Sequence, residues 1–188
     1  MDIQEFNRQL RQKAAQLNEL MRRKMPVLAG NIAKRHIEED FRKGGFTGGG
    51  FHQWQETRRQ RSGRSDAASR YGPLLSGRNR LSRSINFRPG DRKVTVYTNV
   101  PYAPVHNDGG TTHPNITPKM RRYAWARHYK EAGKDKQADT LWKRLALTKK
   151  KQLTIRIPKR QFMPDSGSTE LGKKIRAKLE QEVKTIIH

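Results

Sequence analysis

Apolar residues recur at helical spacing at both ends of this chain, and that fixes where a core can be built. Near the start Ile3, Phe6, Leu10, Ala14, Leu17, Leu20 and Met21 fall on one helical face across 3–24. Asp2 with Glu5 has the form of a capping box. Pro26 fits poorly inside that helix and well in the first turn of a second, whose row is Ala29, Ala33, Ile37 and Phe41 and which Gly44 and Gly45 end. At the other end Leu171, Ile175, Leu179, Val183, Ile186 and Ile187 form one stripe, with Ser168 as cap and Glu170 at the positive end of the helix dipole.

The middle has little to pack with. Only 32% of the 188 residues are hydrophobic and mean hydropathy is −1.03, so the interior is thin. Residues 44–55, GGFTGGGFHQWQ, read as a loop too glycine-rich for a strand, stapled down by Phe46, Phe51 and Trp54. The arginine- and serine-rich stretch that follows lacks periodicity and is expected to order only against an acidic surface. Residues 74–85 predict a short helix capped by Ser76 with Leu81 and Ile85 inward, and 86–99 a hairpin turning at Pro-Gly-Asp. Residues 117–148 predict a helical hairpin, from the Thr117 cap and Pro118 to a stop at Gly133, with Ala138, Leu141, Trp142 and Leu145 on the second arm. Leu153, Ile155 and Ile157 alternate as a half-buried strand stopped by Pro158. The plan is α+β: a small antiparallel sheet packed against long N- and C-terminal helices, with an inserted helical hairpin.

Positive charge is concentrated. The chain carries 41 Lys and Arg against 17 Asp and Glu, net +24, and two internal blocks hold most of the excess: +8 over 57–92 and +12 over 118–160. Such a surplus is matched by nucleic-acid phosphates or an acidic protein surface; neither block has the apolar stripe a membrane face needs. The candidate phosphate- or partner-facing basic residues are Arg58, Arg59, Arg61 and Arg64 in one loop and Lys149, Lys150 and Lys151 in another.

Several chemistries lack their residues. With no cysteine there is no disulfide framework, thiol nucleophile or thiolate metal site. Residues 72–79 have the glycine spacing of a phosphate-binding loop, but Arg78 and Asn79 stand where lysine and a magnesium-binding hydroxyl belong. His106, Asp108 and His113 fall short of a ligand set, and His106 is better used bonding its own turn. No nucleophile elbow or carboxylate pair is seen, and the acids at 38–40 read as solvated helix-surface charges. No catalytic residue, metal or cofactor is expected. No apolar run reaches the roughly 18–20 residues of a membrane span, and the N-terminus has no signal-like apolar region, so an intracellular, membrane-free protein is expected.

Four segments in this order resemble the phage virion morphogenesis (tail-completion) family: Phe41 to Trp54, LLSGRNRLSRSI, YTNVPYAPVHNDGG and IPKRQFMPDS. They span about residues 40–110 and 152–188, and the hairpin at 117–148 stands as an insertion. The resemblance implies a structural protein of the phage neck. It implies a ring of its own copies, hexameric, set between connector or adaptor proteins and tail terminator or tail tube, with packaged DNA nearby. Its location would be the virion, and the host cytoplasm during assembly. The motif residues then serve packing: Trp54, Leu75, Gly77, Leu81, Tyr102, His106, Gly109, Gly110, Pro158, Arg160 and Phe162. Charge alone supports a second class, a non-specific nucleic-acid-binding basic protein.

Overall fold

The computed structural model describes residues 2–62, 70–133, 135 and 137–187. The chain divides into two compact units, Met1–Asp108 with Pro158–His188, and Gly109–Ile157.

In the first unit residues 3–43 are helical without a break: α1 (Ile3–Glu19), a π-helical turn (Leu20–Lys24) and α2 (Met25–Lys43). The predicted break at Pro26 is absent. Proline lacks the N–H for the carbonyl four residues back and its ring crowds that carbonyl. The wider π turn accommodates this, closing with Met25 N–H on the Leu20 carbonyl. The carbonyl that Pro26 leaves without its helical donor, that of Arg22, accepts instead from the Arg92 N–H at 3.3 Å. The capping box at Asp2 is also absent: Asp2 has an extended N-cap backbone but no side-chain bond, and Glu5 pairs with Arg8 and Gln9.

α2 ends at Gly44, whose φ of 71° is a left-handed stop that a side chain would strain. The glycine-rich segment, expected as a loop, is a hairpin of β1 (Gly45–Thr47) and β2 (Phe51–Gln53) paired antiparallel through Phe46 and His52. What holds a sequence of such low strand propensity is the Asp40 carboxylate, which accepts from Thr47 N at 2.9 Å and Thr47 Oγ1 at 2.6 Å. Phe46 and Trp54 are buried as staples, whereas Phe51 is exposed.

The predicted helix over 74–85 shrinks to α3 (Arg80–Arg83). Ser76 is not its cap: Asn79 precedes the helix at φ 46°, and its side-chain oxygen accepts from Ser76 N. Leu81 and Ile85 are buried as expected. β3 (Asn86–Gly90) pairs with β4 (Lys93–Tyr97), and the turn is Asp91-Arg92 rather than Pro-Gly-Asp, with Pro89 and Gly90 inside the ribbon. Arg92 holds φ 54°, fixed by its bond to the Arg22 carbonyl and by its guanidinium on Asn18. The Asp91 carboxylate receives Arg22 Nε and Nη2, both at 3.0 Å. Gly30 on α2 makes room for the Phe87 ring, which a Cβ there would meet at 2.2 Å.

α4 (Ala103–Asp108) completes the centre of the unit, and α7 (Thr169–Ile187) returns along the first helices. Lys24 and Lys178 flank Glu182, and Lys13 donates to the Ile187 carbonyl. The Ser168 hydroxyl bonds Asp165, while the Ser168 carbonyl accepts the first helical bond from Gly172.

The second unit pairs β5 (Gly110–Thr112) with β6 (Ile155–Ile157) and holds the expected helical hairpin, α5 (Pro118–Ala132) and α6 (Leu141–Leu147). Thr117 caps α5 through Met120 N, and Thr140 caps α6 through Lys143 N. Ala138, assigned to the second arm, lies before the helix. Ala124, His128 and Ala146 are the buried contacts, and Arg121 donates to the Ala146 carbonyl at 2.7 Å. The α+β class holds, with the strands in three separate two-stranded ribbons among the described residues.

Candidate functional site

The first unit gathers most of the motif residues at one place. Ile37, Phe41, Trp54, Leu81, Ile85, Val100, Ala103 and Phe162 form its buried cluster, with Leu75 packed against it. The Phe41 ring lies 5.4 Å from Trp54, edge-on, and 5.3 Å from Phe162. Phe162 comes from the irregular segment between Pro158 and α7, which has no ladder to satisfy its backbone. Side chains do that work. Asn107 Oδ1 accepts from Phe162 N at 3.0 Å and Met163 N at 2.9 Å. Trp54 Nε1 donates to the Gln161 carbonyl at 2.8 Å. Arg160 is buried, its N–H on the His106 carbonyl and its Nε and Nη2 both on the Gln55 carbonyl. Segments at 54–55, 106–107 and 160–163 are thus laced together by charged and neutral hydrogen bonds that depend on mutual position.

His106 sits at the edge of this lacing. Tyr102, partly exposed, meets its ring edge-on at 5.8 Å, and its buried Nδ1 has no hydrogen-bond partner among the described residues. Burial first, and the Arg160 charge second, hold its pKa below the ordinary 6.5, both disfavouring the charged ring. Arg160 is itself lowered by burial and by the nearby Arg59 charge. A cleft of about 410 Å³ is lined by Thr57, Arg59, Leu75, Tyr102, His106 and Arg160. Its charged lining is cationic.

The remaining motif positions are spread out. A Cβ on Gly77 would meet the Tyr71 hydroxyl at 3.2 Å. Pro158 is half-buried beside the segment that carries Arg160. Gly109, at φ 75°, and Gly110, opposite Ile157, belong to the second unit. Of the first basic loop, Arg58 and Arg61 are exposed, while Arg59 donates to the Gly72 and Leu75 carbonyls and lies over the Tyr71 ring. Arg64 lies outside the described residues, as does the centre of the arginine stretch. Lys149, Lys150 and Lys151 are exposed on the second unit. His113 belongs to that unit and meets Thr154, and among the described residues no three His, Asp or Glu converge as a metal set.

Two buried polar groups escaped the sequence reading. Asp40, taken for a solvated charge, is 1% exposed. His36, one turn earlier and also buried, donates from Nε2 to the Thr47 carbonyl at 3.0 Å and receives Lys174 Nζ on Nδ1 at 3.2 Å. Since a carbonyl only accepts and an ammonium only donates, the proton sits on Nε2. The signal was present: 33, 37, 40 and 41 share one helical face, so Asp40 falls inside the apolar row.

The model of the phage virion morphogenesis family matches residues 1–184. The chain belongs to that family. No match was found among curated proteins or among solved structures. Membership places the protein in the building of the phage virion, and the match runs through the helical hairpin as well as the four motif segments. Among the described residues no helix of this family member is long and apolar enough to cross a membrane.

Proposed function

We propose that the protein is a structural piece of the phage neck, a tail-completion or head–tail connector component that forms a ring with its own copies and joins tail to head. The observation that carries the reading is on α1. Ile3, Phe6 and Leu10 lie one above another on its face and are 75%, 52% and 56% exposed, while the same helical run buries its later row completely. Leaving three large apolar side chains in water costs on the order of 1.5–3 kcal/mol each relative to burial. A neighbouring copy is the covering surface proposed, and a ring repeats that cover at every subunit. The hexameric count rests on the family resemblance.

The role is read as non-catalytic because the polar groups of the first unit are engaged in shape: the buried Asp40, His36 and Arg160 and the half-buried Asn107 each bond the backbone of another segment. Connector or adaptor proteins on one side and tail terminator or tail tube on the other are the proposed partners. The proposed location is the virion neck, reached from the host cytoplasm during assembly.

Size-exclusion chromatography with light scattering, alone and with connector and tail proteins, tests this. The expected result is a closed multimer or a stable neck complex, reduced to free monomer by Phe6→Asp with Leu10→Asp. A wild-type chain that stays monomeric with every neck and tail component overturns it.

A further inference from the structure

The second unit carries a surface that packing does not account for. Over Gly109–Ile157 there are thirteen Lys and Arg against three acids. α5 turns Ala124 and His128 inward, and Arg121 and Arg127 go with them, one bonded to the Ala146 carbonyl, the other 5.5 Å over the Trp142 ring. The opposite face carries Lys119, Arg122, Tyr123, Ala126, Tyr129 and Lys130, all exposed. At about 100° per residue these six fall within roughly a third of the helix circumference, and Glu131 lies about 100° further round from Lys130. The face is cationic and aromatic with no acid on it.

Its tyrosines are held in place. Tyr129 stacks on Trp125 at 5.7 Å with 21° between planes, and Tyr123 meets Trp142 edge-on at 5.7 Å. Both remain more than half exposed, Tyr123 at 57% and Tyr129 at 64%. The lysine run is fixed beside the start of the same helix: Ile116 N donates to the Lys151 carbonyl at 2.8 Å, Asn115 pairs with Gln152, and Leu153 N donates to the Pro114 carbonyl. The three acids are Glu131, Asp135 and Asp139, off that face; Asp139 pairs with Arg144 and Asp135 accepts from Gln137 N.

We infer that the exposed face of α5, continued by Lys149–Lys151, is a binding surface for the sugar-phosphate backbone of nucleic acid. Lys119, Arg122 and Lys130 contact phosphates, and Tyr123 and Tyr129 offer hydroxyl donors to phosphate or ring faces to unpaired bases. An acidic protein is the weaker fit. Protein interfaces are centred on apolar anchors with charge at the rim, whereas here the cations are interleaved with the aromatics. This surface uses none of the α1 stripe, so nucleic-acid binding there is separable from ring assembly.

The experiment is a salt titration of full-length protein against a labelled DNA duplex and a labelled single strand, from about 50 to about 200 mM salt. Log affinity should fall linearly with log salt. K119Q/R122Q/K130Q should weaken binding by roughly tenfold or more at low salt and flatten the slope by about 2.7, three phosphate contacts at about 0.9 each. Y129A should weaken single-strand binding more than duplex binding if bases stack on it, and both equally if its hydroxyl reads phosphate. An unchanged slope in the triple variant, with a melting curve matching wild type, overturns the assignment. So does preference for an acidic polypeptide over DNA at equal charge. The Phe6→Asp/Leu10→Asp chain should retain the slope change, so failure of assembly and failure of this surface read out separately.

Discussion

α1 and α2 are consecutive lengths of one helical run with similar apolar rows, and they have opposite fates. Ala29, Ala33, Ile37 and Phe41 on α2 are buried against β3, β4 and the Trp54–Phe162 cluster, whereas α1 contains no buried residue. Sequence periodicity reports that a helix has something to cover, and not whether the covering comes from its own chain. α2 is covered from within. Its neighbour waits on another surface.

The sharpest way to break that contrast is to cut back both rows. Ile37→Ala or Phe162→Ala should cost about 2–5 kcal/mol by denaturant unfolding, since each leaves a cavity in a closed cluster. Loss of less than about 1 kcal/mol would mean that this core is not what holds the unit together. Asp40→Ala should cost about 1–3 kcal/mol by leaving the Thr47 N–H and hydroxyl without their acceptor. Asp40→Asn should recover part of this, because its amide oxygen can still accept.

A smaller effect is expected with pH. His106 has its folded pKa below the ordinary value, so between the two values the unfolded chain binds more protons. Stability is therefore full above about pH 6.5, declines as pH falls through the unfolded value, and levels off below the folded one. Thermal melts from neutral to mildly acidic pH should show the decline, and His106→Gln should flatten it. A decline unchanged in that variant would assign the acid sensitivity elsewhere. The smallest stability effect belongs to α1: Phe6→Ser and Leu10→Ser, measured on dilute monomer, should each stay within about 0.5 kcal/mol of wild type. A large loss there would show that α1 is covered within its own chain after all.

How much was legible follows from the same contrast. Long periodic helices and the α5–α6 hairpin could be read because their signals repeat over several turns. The glycine-rich ribbon could not, because its order comes from Asp40, a residue four positions before it that looks like a surface charge. The Asp91-Arg92 turn was displaced for a similar reason: Arg92 is held at positive φ by Arg22 and Asn18, far away in sequence. The family motifs announced that Trp54, His106, Arg160 and Phe162 matter. That Asn107 ties the last of these to the centre was not visible, since nothing local distinguishes an amide that accepts two remote N–H groups from one in water.

The π turn ahead of Pro26 sets the angular phase between the two rows. A π turn holds about one residue more than an α turn, so letting 20–24 wind as ordinary α-helix with no residue removed would swing Phe6 and Leu10 by roughly 80–100° around the axis while leaving Ile37 where it is. Replacing Pro26 so that the turn rewinds would redirect the outward stripe without touching its chemistry. The aim of the N-terminal arm is thus encoded in a prolyl ring more than fifteen residues away from the side chains it orients.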